Sequence, residues 1–378
     1  MRILQATNWY APAYAFGGPT RLFEVYAEIL RSRGVRVDVL TSDLMTRTSF
    51  MGPHVVDLGS RGRIAYVKAL RIAALAKRNI HLHFRLYARI WTEATRYDYV
   101  QFTDYRGMLP LVLVLVGRFR GARLVHHSFG TVSQRRVGKK VVWDFFFQRW
   151  FAQTVSLCFA ENEREREDYV AIGVAREKVH VLPHPVVVPE RYRRVEAEAT
   201  SDGPVPPGPE LKLCFVGRLH PTKGVPHAIE LVHALRPYFG AVRLTIMGDD
   251  EGALPDILRR IAALDLREWV TLRDAAYDDS RFALYRESDA FVIVPADNLQ
   301  TSLAAVEALA VGTPVIANRN CRIDGLDEYV LYVDGKSASE VARGIAALRS
   351  IPRARIARDA QRLFSVGEVA RRLNEALA

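Results

Sequence analysis

The sequence predicts an α/β chain of two doubly wound, parallel-sheet domains, and three observations carry that prediction. Its 378 residues exceed what one ordinary core serves, so two cores are expected. Short apolar runs alternate with segments of helical period along most of the chain, the pattern of a parallel sheet covered by helices. A proline- and glycine-rich stretch interrupts this alternation near the middle, after which it restarts. The boundaries read as a first domain over 1–190, a linker over 191–210, a second domain over 211–355 and a C-terminal helix over 356–378 that returns toward the first domain.

Residues 3–6 form the first short buried strand. A loop holding Gly17-Gly18-Pro19 leads into an amphipathic helix in which Leu22, Val25, Tyr26, Ile29 and Leu30 recur at helical spacing. Pro19 suits the first helical position and Gly34 the C-terminal cap, and 35–41 follows as a strand. Further strand-like runs lie at 99–102, 122–126, 155–160 and 179–182. The apolar run 108–116 falls far short of the roughly 20 residues that span a bilayer and reads as a buried helix. Residues 197–210, AEATSDGPVPPGPE, hold four prolines and two glycines and form the linker. Beyond it, strands are expected at 211–216, 242–247, 270–273, 290–294 and 314–317, with helices at 225–235, 253–264 and 302–311. Ligands of doubly wound sheets bind beyond the carboxyl ends of strands, which singles out the loops after Val216, Met247 and Val294.

Hydrophobic residues make up 49% of the chain and charged residues 25%, which excludes long disordered regions. Cys158, Cys214 and Cys321 are far apart and without metal-ligand spacing, as expected in a reducing compartment. The N-terminus turns polar too soon for a secretion signal, so a cytoplasmic location is expected. The net charge of +11 is uneven: residues 1–150 hold 24 Lys and Arg against 9 Asp and Glu, whereas 201–350 hold 16 against 21. This suggests an anionic partner for the first domain, such as membrane headgroups or a phosphorylated lipid carrier. A solvated, arginine-rich surface explains the same count equally well. Nucleic acid is not expected, because no recognition helix, aromatic platform or zinc spacing accompanies the charge.

Three loops carry chemistry. Gly217-Arg218-Leu219-His220-Pro221-Thr222-Lys223-Gly224 brackets two cations with glycines, and Arg218 and Lys223 can converge on one diphosphate, as fork and as point charge. The turn Gly248-Asp249-Asp250-Glu251-Gly252 is acidic and by itself only a turn. The third loop runs from Pro295 through Asp297 into Thr301-Ser302-Leu303, where a helix begins and offers unpaired N–H groups to a phosphate. Glu307 lies in that helix among Ala, Leu and Val. It needs a partner there, either a ligand diol or a nearby Arg.

These strings resemble the family 4 (group 1) glycosyltransferases of the GT-B fold, in which two Rossmann-like domains face a cleft. The resemblance rests on Tyr10-Ala11-Pro12 through Gly34, on FVGRLHPTKG at 215–224, on IMGDDEG at 246–252 and, most specifically, on VEALAVGTPVIAN at 306–318. It implies a retaining, metal-independent transfer from a nucleotide diphosphate sugar, with no further cofactor, to a lipid-linked or polysaccharide acceptor at the inner face of a membrane. Arg218 and Lys223 would act on the diphosphate and Asp297 beside the sugar. Glu307 would bind the ribose, with Thr301, Ser302, Leu303, Gly217, Gly248 and Asp249 completing the donor site. Gly17, Gly18 and His127 would form the acceptor or phosphate loop of the first domain. Several positions depart from the family pattern: Leu299 stands where an acid is usual, Gln300 and Ser302 where glycines are common, Phe129 where a His is common, and His184-Pro185 where Asn-Gly is usual. Leu299 and Phe129 leave open a GT-B-like subunit that binds sugar nucleotides without turnover; an epimerase shares the fold, but the strings quoted above look like those of transferases.

Overall fold

The computed structural model describes all residues except 47–48, 71–82, 133–138, 194–209, 277, 298–300 and 378, with the backbone alone at 139–142. The chain divides into two compact units, Met1–Pro183 with Ala370–Ala378, and His184–Val369. The proline-rich stretch 197–209 lies outside the described residues, as does Leu299.

Among the described residues the first unit carries a sheet of eight strands. They are β1 (Arg2–Ala6), β2 (Arg36–Ser42), β3 (His54–Asp57), β4 (Arg63–Val67), β5 (Tyr99–Thr103), β6 (Leu124–His127), β7 (Val155–Ala160) and β8 (Val179–Val181), in the order β3-β4-β2-β1-β5-β6-β7-β8. All pairs are parallel except β3 with β4. That antiparallel edge hairpin departs from the expected all-parallel sheet. Strand β3 is exposed along its whole length, so no burial imposes an apolar run on it. The helix Gly18–Ser32 buries Leu22, Tyr26, Ile29 and Leu30. It ends in a Schellman arrangement, with Val35 N–H donating to Leu30 C=O and Gly34 N–H to Arg31 C=O, both at 3.1 Å.

The second unit holds β9 (Glu210–Val216), β10 (Ala241–Met247), β11 (Val270–Arg273), β12 (Ala290–Ile293), β13 (Val315–Ala317) and β14 (Val330–Tyr332), all parallel, in the order β11-β10-β9-β12-β13-β14. Where one C-terminal helix was expected over 356–378, two occur, Arg353–Phe364 and Val366–Leu377. Ser365 separates them, and its hydroxyl accepts from Glu368 N–H at 3.2 Å to cap the second.

Both sheets reverse direction once. From β1 the chain winds outward through β2 and returns on the other side at β5; from β9 it winds outward through β10 and returns at β12. Such a reversal leaves a crevice beyond the carboxyl ends of the two central strands, where ligands of doubly wound sheets sit. The crevices beyond β1/β5 and β9/β12 are therefore the places where each unit can hold a ligand.

Candidate functional site

In the second unit the loops after β9, β10, β12 and β13 are tied into one rim. Leu219 N–H donates to Asp249 C=O at 2.8 Å, and Glu251 and Ala253 N–H return to Leu219 C=O at 3.1 and 3.0 Å. Ala296 N–H donates to Thr222 C=O at 3.2 Å, and the Asn318 amide donates to Pro295 C=O at 2.8 Å. Two glycines are required for this approach. A Cβ on Gly248 would lie 1.8 Å from the Gly217 oxygen, and one on Gly224 would lie 1.8 Å from the Val294 oxygen. The rim thus brings Gly217, Arg218, Lys223, Gly248 and Asp249 together with the start of the Asp297 loop. Asp297 itself is exposed. Thr301 donates its hydroxyl to Arg322 C=O at 3.3 Å. Ser302 caps the helix Leu303–Ala310 by accepting from Ala305 N–H.

Two carboxylates of this rim differ in what they can release. Arg218 donates to Glu251 at 2.6 Å, but its side chain is 42% exposed. An exposed pair of this kind contributes about 0–1 kcal/mol, less than the roughly 1.5–3 kcal/mol of a hydrogen bond to a charged group. A diphosphate can therefore take Arg218 from Glu251. Glu307 is held differently. Arg281 Nε and Nη2 donate to its two oxygens at 3.0 Å each, and Tyr285 Oη adds a third bond at 3.2 Å. Burial disfavours the charged guanidinium, yet Glu307 outweighs it and holds the Arg281 pKa above its ordinary value. A carboxylate has about four lone-pair sites, and three are filled. The buried partner that Glu307 needs is thus an arginine, and a ribose diol would find one site open unless Tyr285 turns away.

In the first unit, a cavity of about 150 Å³ fills the crevice beyond β1 and β5, lined by Thr7, Trp9, Phe16, Pro19, Thr20, Thr103 and Asp104. Trp9 and Phe16 stack with ring centres 4.6 Å apart. The hydroxyls of Thr7 and Thr103 meet at 3.5 Å. Asp104 takes the left-handed backbone conformation, with φ of 64°, and burial pushes its carboxyl up to about 6 against an opposing hydrogen bond from Asn8. Gly17 caps and Gly18 starts the helix whose first turn borders this cavity. None of Trp9, Phe16, Thr103 or Asp104 stood among the expected site residues.

His127 does not belong to that loop. It is 1% exposed, with its ring centre 5.0 Å from Tyr26 and 4.8 Å from Phe159. Burial, with His126 beside it, drives its pKa down to about 3. The aromatic cage made by the helix Gly18–Ser32 and β7 keeps the imidazole neutral and away from solvent. His126 is equally structural, bonded to Tyr169 Oη at 2.6 Å and Asp104 C=O at 3.1 Å. Phe129 sits at φ of 45° in a turn clamped by buried Glu165, which accepts from Ser128 Oγ at 2.7 Å and Gly130 N–H at 2.8 Å.

Two parallel-sheet units, one with glycine-bracketed cations at its switch point, define a GT-B architecture. Residues 17–185 match the family described as "Glycosyl transferase 4-like domain" and residues 210–350 the family "Glycosyl transferases group 1". The chain belongs to the group 1, family 4 glycosyltransferases. It is similar to a D-inositol 3-phosphate glycosyltransferase of Nocardia farcinica, 32% identical over 263 residues that cover 65% of this chain and 55% of that protein. The match to the protein of that name in Corynebacterium glutamicum is 37% identical over 147 residues, 36% of this chain and 34% of that one. The chain thus spans a third to just over half of these relatives. Among solved structures, Anabaena Alr3699/HepE in complex with UDP superposes with a TM-score of 0.67 at 14% identity, covering 100% of this chain and 99% of that one. That likeness supports the fold alone.

Proposed function

We propose that this chain is a retaining, metal-independent glycosyltransferase that moves a sugar from a nucleotide diphosphate donor, held by the second unit, to an acceptor held by the first. The observation that carries the reading is the rim in which Arg218, Lys223 and the N-terminus of the helix Leu303–Ala310 border one switch point. As the glycosidic bond breaks, negative charge grows on the leaving diphosphate. Fixed cations stabilise that state more than the ground state. Asp297 serves the sugar, Glu307 one ribose hydroxyl, and a donor phosphate oxygen takes the acceptor proton on the same face.

The acceptor is a lipid-linked or growing polysaccharide, which places the enzyme in cell-surface polysaccharide synthesis at the inner face of a membrane. The relatives' printed names favour a second reading, an inositol phosphate. The cavity beyond β1 and β5 suits a neutral, hydroxyl-rich ring stacked on Trp9 and bonded to Asp104, and among the described residues no cation lines it to hold a phosphate.

A thermal-melting panel with UDP, GDP, ADP and CDP sugars tests the donor site. A donor at about 100 times its Kd adds ~2.7 kcal/mol of stability. The double variant Arg218→Ala, Lys223→Ala should lose both that shift and sugar transfer. Undiminished transfer in the double variant would overturn the assignment.

A further inference from the structure

The helix Lys139–Thr154 is apolar on two sides. Inward, Phe147 and Phe151 are buried beside Tyr105. Outward, Phe145, Phe146, Arg149, Trp150 and Gln153 recur at positions that share one helical face. Phe145 is 73% exposed, Phe146 69% and Trp150 43%, and the two phenylalanine rings meet edge to face at 5.1 Å. In the helix Met108–Arg120, a Cβ on Gly117 would touch the Thr154 methyl at 2.6 Å, so the C-terminal ends of the two helices lie side by side. Just beyond, Phe119 is exposed between Arg118 and Arg120, and the Arg120 guanidinium lies 5.9 Å from the ring centre of Trp91. Single exposed apolar residues are ordinary, but a run of large aromatics marks an interaction surface.

Charge selects the occupant. Around the exposed aromatics the described cations Arg118, Arg120 and Arg149 are exposed, and the one acid of the helix Lys139–Thr154, Asp144, is buried. Arg106 neutralises that acid with bonds of 3.0 and 2.7 Å. A second copy would bring this positive surface against itself. An anionic bilayer suits it, because Trp and Phe settle at headgroup depth while Arg and Lys meet the phosphates.

We infer that the outward face of the helix Lys139–Thr154, with Phe119 and its flanking arginines, docks the chain on an anionic lipid surface. The role of this docking rests on the lipid-linked acceptor proposed above; the surface itself rests on geometry and charge.

The test uses the full chain with vesicles of phosphatidylcholine alone and of phosphatidylcholine and phosphatidylglycerol in equal parts. Sedimentation with the anionic vesicles, weakened by salt, is expected. The double variant Phe145→Ser, Phe146→Ser should melt with the wild type, since both side chains are exposed, yet partition about tenfold or more weakly. Bromine-bearing lipids should quench wild-type fluorescence more than that of Trp150→Phe. A wild type that ignores anionic vesicles at low salt overturns the inference, as does a double variant that binds undiminished. A dimer that the serine pair dissociates, without vesicle binding, overturns it in favour of a second copy. The donor-induced melting shift, measured in parallel, keeps the two proposals apart: its absence sinks the enzymatic reading and leaves the lipid result standing.

Discussion

Replacing Arg281 by Met would expose how Glu307 is held. The guanidinium and carboxylate are 11% and 9% exposed, so neither is screened by solvent as a surface pair is. Arg281→Met leaves the carboxylate with the Tyr285 hydroxyl alone, and an uncompensated buried charge of this kind costs about 3–5 kcal/mol. Adding Glu307→Leu removes the second charge too, and apolar replacement of a buried pair is commonly neutral or stabilising by about 1–4 kcal/mol. Most of the loss should then return. A chain of two units need not unfold in one step, so the measurement should be local: native-state hydrogen exchange on a peptide covering the helix Leu303–Ala310. A loss below about 1 kcal/mol in the single variant would mean the pair behaves as a solvated one. A double variant no more stable than the single would likewise refute the reasoning. The double variant also separates the two readings of Glu307. Wild-type donor affinity in a protein lacking both charges would make the residue a core ion pair and end its assignment to ribose.

Three other perturbations follow from the geometry. Gly248→Ala should destabilise the second unit by about 1–3 kcal/mol and weaken donor binding in the same melting assay, because its Cβ meets the Gly217 carbonyl at 1.8 Å. His127 has a folded pKa of about 3 set first by burial, below its unfolded value of about 6.5, so the unfolded chain binds the extra proton on acidification and the stability from the neutral ring is lost as pH falls between those values. The stability difference between wild type and His127→Gln, followed by native-state hydrogen exchange on a peptide covering β6 from about pH 6 to about pH 4, should therefore change by ~1.4 kcal/mol per unit against the wild type. Asp104→Asn should raise the acceptor KM about tenfold or more, the equivalent of a charge-assisted hydrogen bond, while the donor melting shift stays unchanged.

How far the chain could be read in advance depended on whether burial was local. Strands β7 and β9 are covered by helices, so VSLCFA and LKLCFV announce themselves as near-continuous apolar runs. The edge strand β3 meets solvent along its length and carries no such mark. The joining of the loops after β9, β10 and β12 was legible for a related reason. Their glycines answer backbone approaches that leave no room for a Cβ, and they cluster at strand ends. The rest depended on pairings across the strand order. Thr7 and Thr103 are 96 residues apart, and the cavity between them exists only because β5 returns beside β1. Asp104 reads as an ordinary loop acid until its left-handed backbone and burial are known. His127 reads as part of an acceptor or phosphate loop because nothing near it in sequence shows that Tyr26 and Phe159 enclose it. The partner of Glu307 was closer to being readable. A carboxylate within LAAVEALA requires a buried donor, and the helix Ser280–Glu287 carries Arg281 and Tyr285 four residues apart, on one helical face, with Phe282 and Leu284 buried around them. That spacing is a two-donor clamp awaiting an acid and points to Glu307 from the sequence itself, whereas a ribose requires a ligand that no residue pattern supplies.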